Sequence, residues 1–227
     1  MMNKFFSAAV VSLGLITAPL SASALVIDIN TYLTGNPVGS NVTVATLTIT
    51  QNGANAVNFS FNNSVANLGA IGDDAFISGL LFSYDGTPLL TSSSFGSFGG
   101  TQLVVAGAFG INPPGGDAGY NFYLDLDYPT GPPSARFTNG EFSTWTISSA
   151  NAISVSDFSV DVSGSGPASL AMVHIQQVGA GPGGSGSLKY VGGDPGTTPP
   201  QEIAEPTTLA LLGLGLLGIG VARRQKK

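Results

Sequence analysis

The stretch NFYLDLDY at residues 121–128 decides the fold, because apolar and polar side chains alternate along its whole length. A β-strand points successive side chains to opposite faces of its sheet, so one face here is apolar and the other is polar. The apolar side comprises Phe122, Leu124, Leu126 and Tyr128, and the other side comprises Tyr123, Asp125 and Asp127. The stretch therefore predicts a strand of an antiparallel sheet with one face on a core and one in solvent.

The same pattern extends along the chain to both sides of this stretch. Further strands are predicted at residues 42–50, 56–61, 77–84, 102–109, 142–147, 157–162, 170–178 and 187–191. Turn dipeptides such as Asn52-Gly53 and Asn139-Gly140 separate them. We therefore expect an all-β domain over residues 25–191, an antiparallel β-sandwich of jelly-roll or Greek-key type. Residues 192–203 are rich in Gly and Pro and are expected to form a linker.

Residues 1–24 have the pattern of a secretory signal peptide. Lys4 supplies a positive charge, residues 5–16 form an apolar run, and Ala22 and Ala24 form an A-x-A cleavage site. We expect the protein to be exported and cleaved just before Leu25.

Residues 204–227 combine an acidic marker, an apolar run and a basic cluster. Glu205 and Pro206 are followed by uncharged residues at 207–222 and then by Arg223, Arg224, Lys226 and Lys227. A helix of that length measures roughly 24 Å, close to the ~30 Å hydrocarbon core of a bilayer, and the flanking bases can reach the interface. We expect a transmembrane helix at about 207–222 whose basic end lies in the cytoplasm.

The two ends together resemble the PEP-CTERM family of exported bacterial proteins, whose tail has Pro-Glu-Pro, a hydrophobic helix and an Arg-rich end. Glu205, Pro206, Arg223 and Arg224 match that tail, whereas Ala204 stands where the family usually has its first Pro. The resemblance implies recognition by an exosortase, a membrane transpeptidase-like enzyme, in a Gram-negative bacterium that makes exopolysaccharide. It implies a transient stay in the inner membrane and then delivery to the cell surface or extracellular matrix, and it assigns no activity to the middle of the chain.

Composition limits the partners of this middle region. The chain has no Cys, so neither a disulfide framework nor thiol chemistry is available. From Asp28 to Glu205 only two bases, Arg136 and Lys189, stand against all 13 acidic residues, so the formal charge there is −11. Nucleic acid is excluded as a partner, because neutralising its backbone requires clustered Lys and Arg.

Few residues suggest chemistry. His174 is the only His and the sequence has no Cys, so we expect neither a catalytic triad nor a multi-His metal site, and His174 is expected to be a structural strand residue. Carboxylates are paired at Asp73 and Asp74, at Asp157 and Asp161, and at Asp125 and Asp127, the last pair sharing one strand face. A solvated outer face, a weak Ca²⁺ site and a glycosidase pair are the three interpretations of Asp125 and Asp127. We expect no cofactor, with Ca²⁺ at these two residues as the alternative.

Aromatic residues leave a second question open. Tyr120, Tyr123, Tyr128 and Trp145 either form a platform for stacking sugars or pack in the core. Three function classes follow: a non-enzymatic surface or exopolysaccharide-matrix protein, a carbohydrate-binding module, and a secreted hydrolase. We favour the first, because the sequence offers no catalytic constellation.

Overall fold

The computed structural model describes residues 22–105, 110–111, 118–181, 183–193 and 201–203. These residues contain twelve strands and four short 3-10 helices. The strands are β1 (Ala22–Asn36), β2 (Ala45–Gln51), β3 (Ala56–Asn63), β4 (Phe76–Phe82), β5 (Phe95–Gly100), β6 (Gly110–Ile111), β7 (Leu124–Asp127), β8 (Phe137–Thr138), β9 (Phe142–Ser148), β10 (Ala171–Val178), β11 (Gly186–Gly192) and β12 (Gln201–Ile203). The 3-10 helices are Val65–Ile71, Ser92–Ser94, Pro133–Ala135 and Val155–Phe158.

Hydrogen bonds join all twelve strands into one antiparallel sheet. The strand order is β5-β9-β3-β2-β1-β11-β10-β4-β7-β6, with β12 paired to β1 and β8 paired to β4. The predicted all-β, antiparallel class is confirmed. The pairing describes a single curled sheet, so the two-sheet sandwich of jelly-roll or Greek-key type stays a prediction.

Aromatic contacts show how the sheet curls. Phe59 of β3 lies 5.6 Å from Phe82 of β4, and Phe61 lies 6.0 Å from Tyr128, measured between ring centroids. Since β3 and β4 are separated by four strands in the sheet order, these contacts require the sheet to bend until distant strands face each other. The bend encloses the main core on its inner face.

Residues 121–128 form a shorter strand than predicted, and its faces are largely as expected. Leu124 and Leu126 of β7 are fully buried in the main core, and Tyr128 joins them there. Phe122 is also buried, but it belongs to a second apolar cluster. The predicted inward direction is therefore confirmed for three of the four apolar side chains.

Two predicted strands are wrong. Of the strand predicted at 102–109, residues 102–105 are not a strand and residues 106–109 lie outside the described residues, while the neighbouring Gly-rich stretch forms β5. A Cβ at Gly100 would lie 2.3 Å from the Phe142 carbonyl oxygen, so Gly allows β5 to pair closely with β9. Residues 157–162 begin in a 3-10 helix, where the Asp157 carboxylate accepts hydrogen bonds from both the backbone N–H and the hydroxyl of Ser154. That Ser-x-x-Asp pattern is a capping signal.

Several predicted boundaries stay predictions. Ala22 and Ala24 of the expected cleavage site lie within β1, where they pair with β12, itself inside the expected linker. The apolar run at 5–16 and the tail at 204–227, including Glu205, Pro206, Arg223 and Arg224, lie outside the described residues. Among the residues that are described, no helix is long and apolar enough to cross a membrane.

Leu124→Ala tests the face assignment. The side chain is fully buried, so we expect the free energy of unfolding to fall by about 2–4 kcal/mol. Asn121→Ala, an exposed change three residues earlier, is the control and is expected to stay within ±0.5 kcal/mol. Urea denaturation followed by far-UV circular dichroism measures both. Equal effects would show that the inward face has been assigned wrongly.

A polar groove on the outer face as the candidate site

The outer face of β11, β10, β4 and β7 carries its side chains in register. One row consists of Val191, Met172, Leu81 and Asp125, and the next consists of Lys189, His174, Gly79 and Asp127. A third row contains Ser187, Gln176 and Phe76. The outer face therefore changes from apolar to polar along the strands. The inner face of the same strands is buried.

The apolar row is covered by a loop. Tyr120 and Phe122 stack on each other at 5.4 Å and pack with Leu81, Met172 and Val191 in the second apolar cluster. The Tyr120 hydroxyl donates a hydrogen bond of 2.7 Å to the Pro167 carbonyl oxygen. This cover makes Val191, Met172 and Leu81 of the first row part of the interior and leaves the polar side chains of the second and third rows at the surface.

Asp127 and His174 flank Gly79 in the second row. A Cβ at Gly79 would lie 3.8 Å from Asp127 Oδ1 and 4.0 Å from His174 Cβ, so both side chains border this bare position. Partial loss of water raises the pKa of the Asp127 carboxyl above its ordinary value. Asp125 and Asp127 share the outer face as predicted. Within the described part of the chain no group of three or more His, Asp or Glu residues is placed to hold a metal ion.

A groove of about 380 Å³ begins at His174 and runs over the third row. Its side chains include Thr130, Arg136, His174, Gln176, Gln177 and Ser187, with Phe76 at its floor and the 184–186 backbone along one side. Gln177 has a positive φ of 58° and occupies a bulge opposite β11. A bulge lets two consecutive residues share one side of a strand, so Gln176 and Gln177 both reach the groove.

Arg136 is held in place at this groove. Its Nε donates a 2.9 Å hydrogen bond to the Thr130 carbonyl oxygen, and its Nη1 donates to Gln177 Oε1. The guanidinium lies 4.5 Å above the centre of the Phe76 ring. Three independent contacts therefore fix the orientation of a cation at the surface.

Of the two alternatives for the four aromatic residues, a sugar platform or core packing, the structure shows core packing for three. Tyr120, Tyr128 and Trp145 are at most 2% exposed, and Tyr123 is partly buried against the main core. Tyr128 and Trp145 pack on Phe side chains, 4.5 Å from Phe137 and 5.1 Å from Phe59 respectively. The core alternative is therefore confirmed for Tyr120, Tyr128 and Trp145, whose rings are not exposed for stacking on a sugar.

One member of each remaining acidic pair has a local structural role. Asp157 caps a 3-10 helix, and Asp74 Oδ2 accepts a 3.0 Å hydrogen bond from the Gly183 N–H. Arg136, Gln176 and Gln177 could not be picked out from the sequence, because Arg136 lies 40 residues before the two glutamines and the three form no motif. The available signal was that Arg136, His174 and Lys189 are the only basic side chains between Asp28 and Glu205.

The fold and the site define an all-β domain with a polar surface groove. Comparison with known families adds that residues 204–226 match the PEP-CTERM protein-sorting motif. The chain thus carries this motif, as its resemblance predicted, and the motif indicates a Gram-negative bacterial protein that is exported and sorted to the cell surface through an exosortase. No curated protein and no solved structure matches the chain.

Proposed function

We propose that this protein is a non-enzymatic component of the cell surface or of the exopolysaccharide matrix, delivered there by its sorting motif. The match of residues 204–226 to that motif is the observation that carries the proposal. In this proposal the segment at 207–222 holds the precursor in the inner membrane until the exosortase acts at the tail.

The absence of an enzymatic role is part of the same proposal. The single His pairs with Gly79 and Lys189 on the outer face of the sheet, so its register neighbours are neither the Ser nor the Asp of a catalytic triad, and the sequence has no Cys. Asp125 and Asp127 lie side by side on one strand face instead of facing each other across a cleft, which does not suit a glycosidase. A bridging Ca²⁺ at this pair stays a proposal.

Mapping the C-terminus of the mature protein tests the sorting. The protein is recovered from surface and matrix fractions of its host and analysed by mass spectrometry, in cells with and without the exosortase. We expect the mature form to lack Arg-Arg-Gln-Lys-Lys and the mutant cells to retain an intact, membrane-bound precursor. A mature protein that still ends in those residues would replace sorting by permanent anchoring.

A further inference from the structure

The basic side chains of the exported region converge on one face. Arg136 and His174 line the same groove, and Lys189 pairs with His174 in the sheet register. They are the only Arg, His and Lys between Asp28 and Glu205, within a region that contains all 13 acids of the chain. Asp127 lies in the same row as His174, and Asp74 lies near the 183–184 turn, so this is a local gathering of bases and not a uniformly positive surface.

Arg136 retains hydrogen-bonding capacity. A guanidinium has five N–H donors, and in the described structure two of them are used, by Thr130 and Gln177. Arg and carboxylate match in shape and charge, and the three contacts that orient Arg136 lower the entropic cost of such a bond. The fixed cation therefore indicates an anionic group on the ligand.

The other lining groups favour a ligand that donates hydrogen bonds as well. Side-chain amides of Gln176 and Gln177 and the hydroxyl of Ser187 offer both donors and acceptors. Inorganic phosphate and sulfate present chiefly acceptor oxygens, whereas a sugar acid presents a carboxylate together with several hydroxyls. The volume of about 380 Å³ is within the usual range of small-molecule sites and the groove is open to solvent, so one unit of a longer polymer can enter.

We propose that this groove binds a carboxylate-bearing sugar of an acidic polysaccharide, with Arg136 contacting the carboxylate and Gln176, Gln177 and Ser187 contacting hydroxyls. This proposal goes beyond the sorting function and does not depend on it. It also differs from a Ca²⁺-bridged contact at Asp125 and Asp127, since it requires no added cation.

Isothermal titration calorimetry on the full-length protein in mild detergent tests the proposal. The probe is a trimer of galacturonic acid, the matched neutral probe is a trimer of galactose, and all buffers contain a chelator. We expect the acidic trimer to bind at least about tenfold more tightly than the neutral one, because one charge-assisted hydrogen bond is worth about that factor. Equal affinity for both sugars, or no heat with the acidic trimer, would overturn the proposal.

Two variants locate the binding. Arg136→Gln removes the charge and is expected to weaken binding by about tenfold or more, while Arg136→Lys keeps part of it. Ser187→Phe fills the groove without altering Arg136 and is expected to abolish binding, whereas Ser92→Phe, on an exposed serine outside the groove, leaves it unchanged. Thermal denaturation verifies that each variant is folded. Binding that survives both Arg136→Gln and Ser187→Phe would place the sugar elsewhere and defeat the inference.

Inorganic phosphate serves as the competing probe. If phosphate displaces the acidic trimer at comparable concentration, the groove is a general anion site and the sugar assignment is wrong. Because every measurement uses purified protein in solution, a failure of exosortase processing in the host would leave these results unaffected.

Discussion

Replacing Trp145 with Ala is expected to lower the free energy of unfolding by about 3–5 kcal/mol, a large fraction of the stability of a typical domain. Trp145 is 1% exposed and stacks on Phe59 at 5.1 Å with an interplanar angle of 8°. It also lies 6.1 Å from Phe82, so it connects β9 and β3 to β4 across the curl of the sheet. Removing it opens a cavity where two distant parts of the sheet meet.

Trp145→Phe is the matched control. It keeps an aromatic ring against Phe59 and removes an indole N–H that is buried without a hydrogen-bond partner in the described structure. We therefore expect a loss of only about 1.5 kcal/mol or less. Far-UV circular dichroism must follow the unfolding, because Trp145 is the only Trp and its removal abolishes the tryptophan fluorescence. A loss below about 1 kcal/mol for Trp145→Ala would show that the core does not depend on this contact.

The central strands could be predicted because their periodicity is visible in the sequence. Leu47 and Ile49, or Phe59 and Phe61, alternate with polar residues, and each pair is buried on one face as the period of two requires. β4 could be recognised as an interior strand because five of its seven residues are apolar, and all seven are buried. These strands form the middle of the sheet, where burial determines the side-chain pattern.

Two other strands, β5 at the edge of the sheet and β1 in its middle, could not be predicted in the same way. Three of the six residues of β5 are Gly. Gly allows close contact with β9 and produces no apolar pattern in the sequence. β1 has buried apolar side chains at the alternate positions Leu25, Ile27 and Ile29. Its first residues also match a cleavage site, and that match predicts a signal peptide up to residue 24 instead of a strand. The sequence at the start of β1 fits both a strand and a cleavage site, and its periodicity alone does not distinguish the two.

The groove depends on tertiary structure even more strongly. Phe76 and Gln176 meet through strand pairing, and Arg136 reaches them from a 3-10 turn. Gln177 faces the groove only because a bulge shifts its side, and a bulge has no signature in a single Gln-Gln pair. The one signal in the sequence was the small number of basic residues in a strongly acidic region. When so few bases lie close together in the fold, their clustering indicates a shared role.

Reversing the charge of Glu205 is expected to block sorting almost completely. Glu205 is the acidic residue at the start of the motif matched at residues 204–226, so Glu205→Lys changes the marker without changing the apolar run that follows. We expect the host to accumulate an intact, membrane-held precursor and to lose the protein from its surface and matrix fractions. Immunoblotting of the fractions, with mass spectrometry of the C-terminus, measures both effects.

Two further changes separate recognition of the marker from a general effect of charge. Glu202→Lys makes the same reversal three residues upstream, outside the matched motif, and is expected to leave processing unchanged. Ala204→Pro restores the Pro-Glu-Pro of the family and is expected to accelerate conversion of the precursor in a pulse-chase experiment. Equal loss of processing in Glu205→Lys and Glu202→Lys would mean that the tail is sensitive to net charge alone, since a specific marker must distinguish position 205 from position 202.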